Sequence, residues 1–194
     1  MMGKIFYLMG KSASGKDTIY KRIKEEAKEL KEIVIYTTRP MREGEQEGRE
    51  YHFVSEEEFR SLLDTGKVIE HREYLTVHGP WIYFTVDDGQ FDGEEDFLAI
   101  GTLESYVKLK EYFGKEKLVP IYIEVEDGLR LTRALSRERE QREPKYKELC
   151  RRFLADAEDF SEEKLAHAEI ETRYENVDIE MCLQEILLGI RGKV

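Results

Sequence analysis

The chain has 194 residues, 40% of them hydrophobic and 38% charged, with a formal net charge of −11 at pH 7. That length suits one sizeable core with small insertions, and the composition excludes wholesale disorder. The acidic balance argues against a general nucleic-acid binder, whose affinity rests on phosphate contacts, and no apolar run approaches the roughly 20 residues that span a bilayer.

The opening MMGKIFYLMG holds one lysine and a short apolar run that leads straight into glycine, without a small-residue cleavage site. It reads as a first strand rather than a signal peptide, so a cytoplasmic location is the default expectation. From Asp17 to Leu30, the apolar residues Ile19, Ile23, Ala27 and Leu30 recur at helical spacing between charges. EIVIYTT is a β-branched strand, RPMREGEQEGRE a loop, and YHFVS a short strand. Ser55 and Glu58 have capping-box spacing at the head of a helix that closes at Gly66. KVIEHREYLTVHGPWIYFTV alternates and predicts a hairpin around Gly79–Pro80, and DDGQFDGEED is rich in turns. FLAIGT and LVPIYIEV predict buried strands on either side of a helix from Leu103 to Phe113. A charged helical region follows from Gly128 to about Phe160, interrupted near Pro144, then a last strand in AEIETRYEN and a final helix in VDIEMCLQEILLGI. Strands alternating with helices predict an α/β fold, a parallel sheet flanked by helices, with a small β-rich insert. In such sheets ligands gather beyond the carboxyl ends of the strands.

Gly10, Lys11, Ser12, Ala13, Ser14, Gly15 and Lys16 fit G-x-x-x-x-G-K between a predicted strand and a predicted helix. Glycines let the backbone curl its N–H groups inward, the helix amino end adds partial positive charge, and lysine reaches the terminal phosphates. The next position carries Asp17 rather than Ser or Thr. An aspartate is favourable in a first helical turn by itself, but beside a polyphosphate it needs a cation between. Asp17 and Thr18 are therefore the candidate ligands for Mg²⁺ accompanying a polyphosphate.

Positive charge gathers in one place. Residues 129–152 hold Arg130, Arg133, Arg137, Arg139, Arg142, Lys145, Lys147, Arg151 and Arg152 against Glu138, Glu140, Glu143 and Glu148. Arg133 and Arg137, four apart, share one helix face. Arg130, Arg139 and Arg142 read as part of a solvated surface laced with pairs such as Glu138–Arg142. Cys150 and Cys182 are too few for a disulfide framework, and His52, His71, His78 and His167 lack ligand spacing, so no protein-built metal site is expected.

YTTRPMREGEQEGREYHFV, with the phosphate loop before it and the arginines after it, closely resembles guanylate kinases over nearly the whole chain. The resemblance implies a P-loop core at 1–35, 92–128 and 151–194, a monophosphate-binding insert at 36–91 and a helical lid at 129–150. It places Arg39, Arg42, Tyr51 and Tyr83 on the phosphate of the acceptor monophosphate, with Thr85 also in that substrate site. Guanidinium forks and phenol hydroxyls suit phosphate oxygens. It places Glu70 on the N1–H and amine edge of guanine, Arg133, Arg137 and Arg151 near the transferring phosphoryl group, and Asn176 near the donor adenine. It implies ATP and Mg²⁺ as cofactors, GMP or dGMP as acceptor, and no nucleic-acid or membrane partner. Lid closure would exclude water, flexing at EDG and Pro144.

Several positions depart from the family pattern. Ile35 stands two residues before T-T-R, where the family has serine. Ala99 and Gly101 replace both acids of a D-x-D pair, and Phe84 replaces a small residue. A kinase for a different monophosphate thus stands beside a GMP kinase, and a non-catalytic phosphopeptide-binding module stands as a third reading. The intact Gly10, Gly15 and Lys16 favour catalysis.

Overall fold

A computed structural model describes residues 3–76, 79–91 and 93–192. Met1 and Met2 of the expected first strand, and Val77 and His78 within the expected hairpin, lie outside the described residues, whereas Gly79 and Pro80 open the second hairpin strand.

The chain runs β1 (Ile5–Met9), α1 (Lys16–Glu26), β2 (Lys31–Glu32), β3 (Tyr36–Thr37), β4 (His52–Phe53), α2 (Glu56–Asp64), β5 (Val68–Thr76), β6 (Gly79–Val86), β7 (Phe97–Gly101), α3 (Leu103–Phe113), β8 (Leu118–Glu124), α4 (Asp127–Arg139), α5 (Tyr146–Asp159), α6 (Glu162–His167), β9 (Arg173–Glu175) and α7 (Ile179–Gly192). One sheet has the order β2-β7-β1-β8-β9, with every pairing parallel. The second has the order β4-β3-β6-β5. Its β5 and β6 form the long antiparallel hairpin.

Period-two alternation sorts β1 between two cores. Ile5, Tyr7 and Met9 pack with Leu103, Tyr106 and Leu109 of α3 and with Phe160 and Leu165. Phe6 and Leu8 pack on the opposite face with Ile19 and Ile23 of α1 and with Leu183 and Ile186 of α7. Helices thus cover both faces, which is why β1, β7 and β8 read as continuous apolar runs. The insert has a smaller core of Phe59, Ile82, Phe84 and Val86. There Phe84, fully buried, fills the space between β6 and α2, its ring 4.8 Å from that of Phe59.

Three expectations need correction. EIVIYTT is not one strand: Lys31–Glu32 pairs with β7 in the parallel sheet, whereas Tyr36–Thr37 pairs with β4 and β6 in the insert. The segment leaves one sheet for the other, a change of partner that its uniform β-branched composition does not record. α1 ends at Glu26 rather than Leu30: the Ala27 N–H still makes the helical bond to the Ile23 carbonyl, but Ala27 takes φ −120° and ψ 65° and leaves the helix. The capping box at Ser55 and Glu58 forms with both reciprocal bonds. α6 was not expected; Ser161 caps it from a short polar stretch.

Candidate functional site

The phosphate loop leaves the carboxyl end of β1. Gly15 takes φ 87° and Ala13 φ 62°, left-handed values that curl the loop back toward α1. A side chain at Gly15 would lie 2.4 Å from the Asn176 amide nitrogen. That amide donates to the Ser14 carbonyl at 2.7 Å, so Asn176, buried beyond the end of β9, braces the loop from beneath. The Ser14 hydroxyl is buried without a partner. A loop with an unsatisfied interior hydroxyl fits an anion whose oxygens can accept from it. Lys16 lies 3.4 Å from the Asp17 carboxylate, which is 75% exposed, and the first-turn neighbour Thr18 is exposed too. An exposed carboxylate and hydroxyl at the loop rim fit a magnesium ion that keeps most of its waters.

One backbone donor of the loop already holds an anion. The Ser12 N–H donates to Asp156 Oδ2 of α5 at 2.9 Å. Arg130 closes this arrangement. Its guanidinium donates to Asp156 at 3.0 Å, to Asp127 at 3.0 Å and to the Ser12 carbonyl at 3.2 Å, and lies 4.1 Å over the Phe153 ring. Arg130 is only 1% exposed, so the expected solvated position is corrected. The carboxylates of two helices and a loop carbonyl compensate its burial. Glu138 is buried as well, and it turns to Gln141 and the Lys145 N–H rather than to Arg142, which lies past the end of α4.

The other lid arginines divide. Arg133 is half-buried and donates to the Val177 carbonyl at 3.3 Å. Arg137 lines a small cavity beside Ser12. Arg151 is exposed and forks onto Glu148 at 2.7 and 2.9 Å. The side chain of this pair that joins Arg137 beside Ser12 is Arg152. Adjacent residues of a helix project about 100° apart, so this distinction follows from which face of α5 meets α4.

In the insert, Arg39 is 3% exposed. Its Nη1 and Nη2 fork onto Glu45 at 3.0 and 2.8 Å, and Nη1 also donates to the Pro40 carbonyl. The Glu45 bond raises the Arg39 pKa further, burial opposes that, and the nearby Tyr83 hydroxyl adds to the rise. The same bond holds the Glu45 carboxyl below its usual range. The guanidinium lies 5.3 Å over Tyr51, whose ring meets Tyr83 edge-on at 5.6 Å. Its Nε is buried and unpartnered. Arg39, Tyr51 and Tyr83 thus converge, with one guanidinium edge fixed on Glu45 and the Nε buried without a partner. Arg42 is exposed; its backbone N–H, not its side chain, joins the cluster by donating to Glu45 at 2.7 Å.

Glu70 is buried, accepting from Thr85 Oγ1 at 2.8 Å and Ser105 Oγ at 3.0 Å, with Arg72 Nε at 3.4 Å. A cavity of about 1300 Å³ connects the loop residues Gly10, Ser12 and Lys16 with Arg72 and Tyr74 of β5 and with Gly101 at the end of β7. An adjoining cavity of about 430 Å³ holds Tyr51, Tyr83, Trp81 and Ile35, and shares Arg72 and Tyr74 with the first.

The family model for guanylate kinase matches residues 2–87. A guanylate kinase from Oceanobacillus iheyensis is 30% identical over 141 residues, covering 73% of this chain and 68% of that protein. The chain belongs to the guanylate kinase family. Guanylate kinases from Corynebacterium diphtheriae, 42% identical over 78 residues, and Chlorobium luteolum, 31% identical over 118 residues, match 40% and 61% of the chain. The chain spans 39% and 59% of the length of those two relatives. The crystal structure of guanylate kinase from Anaplasma phagocytophilum superposes with a TM-score of 0.62 at 26% identity, covering 99% of this chain and 86% of that one. The guanylate kinase fold thus extends past the matched segment to α4, α5 and α7.

Residues missed by sequence reasoning are Arg72, Asp156, Arg152 and, as a buried group, Arg130. Arg72 had a readable signal: two residues after Glu70 in a strand, it shares that residue's face. Asp156 had none, since its contact with Ser12 spans 144 positions.

Proposed function

We propose that the protein transfers the γ-phosphoryl group of ATP to the phosphate of a nucleoside monophosphate, GMP or dGMP, giving ADP and the diphosphate. The observation that carries this reading is the pair of adjoining cavities, Lys16 at one end and the Arg39–Tyr51–Tyr83 cluster beside the other, joined at Arg72. Family membership and the full-length fold match support the same reaction.

In this reading the loop N–H groups, Lys16 and the Ser14 hydroxyl bind the donor phosphates. Magnesium arriving with the nucleotide supplies charge neutralisation, with Asp17 and Thr18 as the protein groups placed to hold it. Arg39 Nε and the two phenols hold the acceptor phosphate. One of its oxygens attacks the γ-phosphorus, and the bond to the β-bridging oxygen breaks, leaving its electron pair on ADP. A monophosphate with its second pKa near 6 is mostly dianionic at pH 7, so no general base is required. The work of the protein is placement and electrostatics. Arg133, Arg137 and Arg152 are the arginines proposed to reach the transferring group when α4 and α5 close over it. Arg151 is the fourth candidate. Magnesium dependence and a cytoplasmic setting belong to the same proposal.

A coupled ADP-release assay across GMP, dGMP, AMP, UMP and CMP tests the reaction. Turnover is expected with at least one purine monophosphate. ATP binding with no turnover of any of them would leave the phosphate-binding module instead.

A further inference from the structure

We propose that Arg72, held in place by Glu70, reads the acceptor base through its oxygen and N7 acceptors, so that 6-oxopurines are accepted with or without a 2-amino group. The inference rests on the kinase reading above and specifies its substrate class.

The carboxylate of Glu70 is 1% exposed. A carboxylate offers about four lone-pair sites. Thr85 and Ser105 take two, and the Arg72 Nε at 3.4 Å stands over a third. Too little remains to accept from both N1–H and a 2-amino group. Arg72, in contrast, lines both cavities, while its buried Nε faces Glu70 at 3.4 Å. Glu70 lies behind it as the anchor.

At positions 99 and 101 there is no second acceptor, and the carboxylates that line the larger cavity beside Arg72, Glu73 and Glu104, do not line the smaller one. Ala99 and Gly101 lack polar side chains, and the space over Gly101 is filled by Tyr7, whose hydroxyl would lie 2.0 Å from a Cβ there. That hydroxyl donates to the Thr102 carbonyl at 3.3 Å. Ile35 and Ile100 present only hydrocarbon to the smaller cavity. In the smaller cavity Arg72 is thus the donor fork, with Ile35 and Ile100 as an apolar floor. An arginine fork matches the O6 and N7 acceptors of guanine, and hypoxanthine presents the same two. Adenine presents its 6-amino donor instead, which leaves donors facing donors. Uracil offers O4 but no N7, and so only half the match.

The test is kcat/KM for GMP, IMP, UMP and AMP at saturating ATP, with equilibrium binding of GMP and IMP alongside. IMP is expected within about fivefold of GMP, with AMP lower by about 5- to 150-fold, the discrimination of one bidentate contact. Arg72→Met, and Arg72→Lys, which keeps charge but loses the fork, should collapse the GMP-to-AMP ratio toward one. Glu70→Gln should erode the same ratio through KM with kcat largely held, the mark of a positioning residue. Rejection of IMP by more than about 30-fold in the wild-type protein overturns the inference and returns base reading to Glu70. So does an unchanged GMP-to-AMP ratio in a folded Arg72 variant, or turnover of AMP or UMP in preference to both oxopurines; the kinase reading survives all three. Failure to bind or phosphorylate any monophosphate overturns both. The wild-type GMP-to-IMP ratio decides even if every variant misfolds.

Discussion

At the scale of single residues, the two proposed anion cradles differ in how far they are formed. Lys16 lies beside a largely exposed carboxylate, and its proposed role is to meet phosphate charge that develops in transfer. Lys16→Ala should therefore lower kcat by at least about 10²-fold, a loss read directly in the ADP-release assay. Arg39 is already tethered by Glu45 through one guanidinium edge. Glu45→Gln should leave ATP affinity unchanged while raising KM for the monophosphate about tenfold, because a charged hydrogen bond that orients the fork is weakened. Titrations with each nucleotide separate the two effects. The loop around Lys16 and the Arg39–Tyr51 segment could be read from the chain as local motifs of fixed spacing, whereas Tyr83 was reached only through the family resemblance. Arg130 was not legible: its burial depends on Asp156, supplied by a different helix, and a lone arginine between charges reads as a surface residue.

At the scale of elements, β1 and β7 constrain each other. Tyr7 stands on β1 opposite Ala99, and its ring reaches the space where Gly101 would carry a side chain. Gly101→Ala should destabilise the protein by about 1–3 kcal/mol through overpacking. Tyr7→Leu in the same chain should recover part of that loss, a coupling visible in a double-mutant cycle of urea melts. The parallel sheet was readable from continuous apolar runs, and α3 from its helical spacing. The path of residues 31–37 was not, because exchange of one sheet for another leaves no trace in an apolar run. Nor was the choice between Arg151 and Arg152, which turns on how α5 is rotated against α4.

At the scale of the whole molecule, carboxylate contacts make the stability depend on pH. Glu45, Glu58 and Glu162 have carboxyl pKa values below the usual range, held there by the Arg39 guanidinium, the Ser55 N–H and the Arg173 guanidinium respectively. A group whose folded pKa is depressed stabilises above its unfolded value, near 4, and loses that contribution as pH falls through the folded one. Thermal melts should give a Tm that is nearly flat from pH 7 to about 5 and falls steeply below about 4. A Tm that holds at pH 3 would show that these contacts contribute little. The meeting of Tyr7 with Gly101 also bears on ancestry. No single substitution installs an acid at 101 while the phenol remains, and shrinking position 7 alone leaves a void beneath the sheet. Lineages that carry a side chain at 101 should therefore carry a smaller residue at 7, and the two positions should change together along the tree.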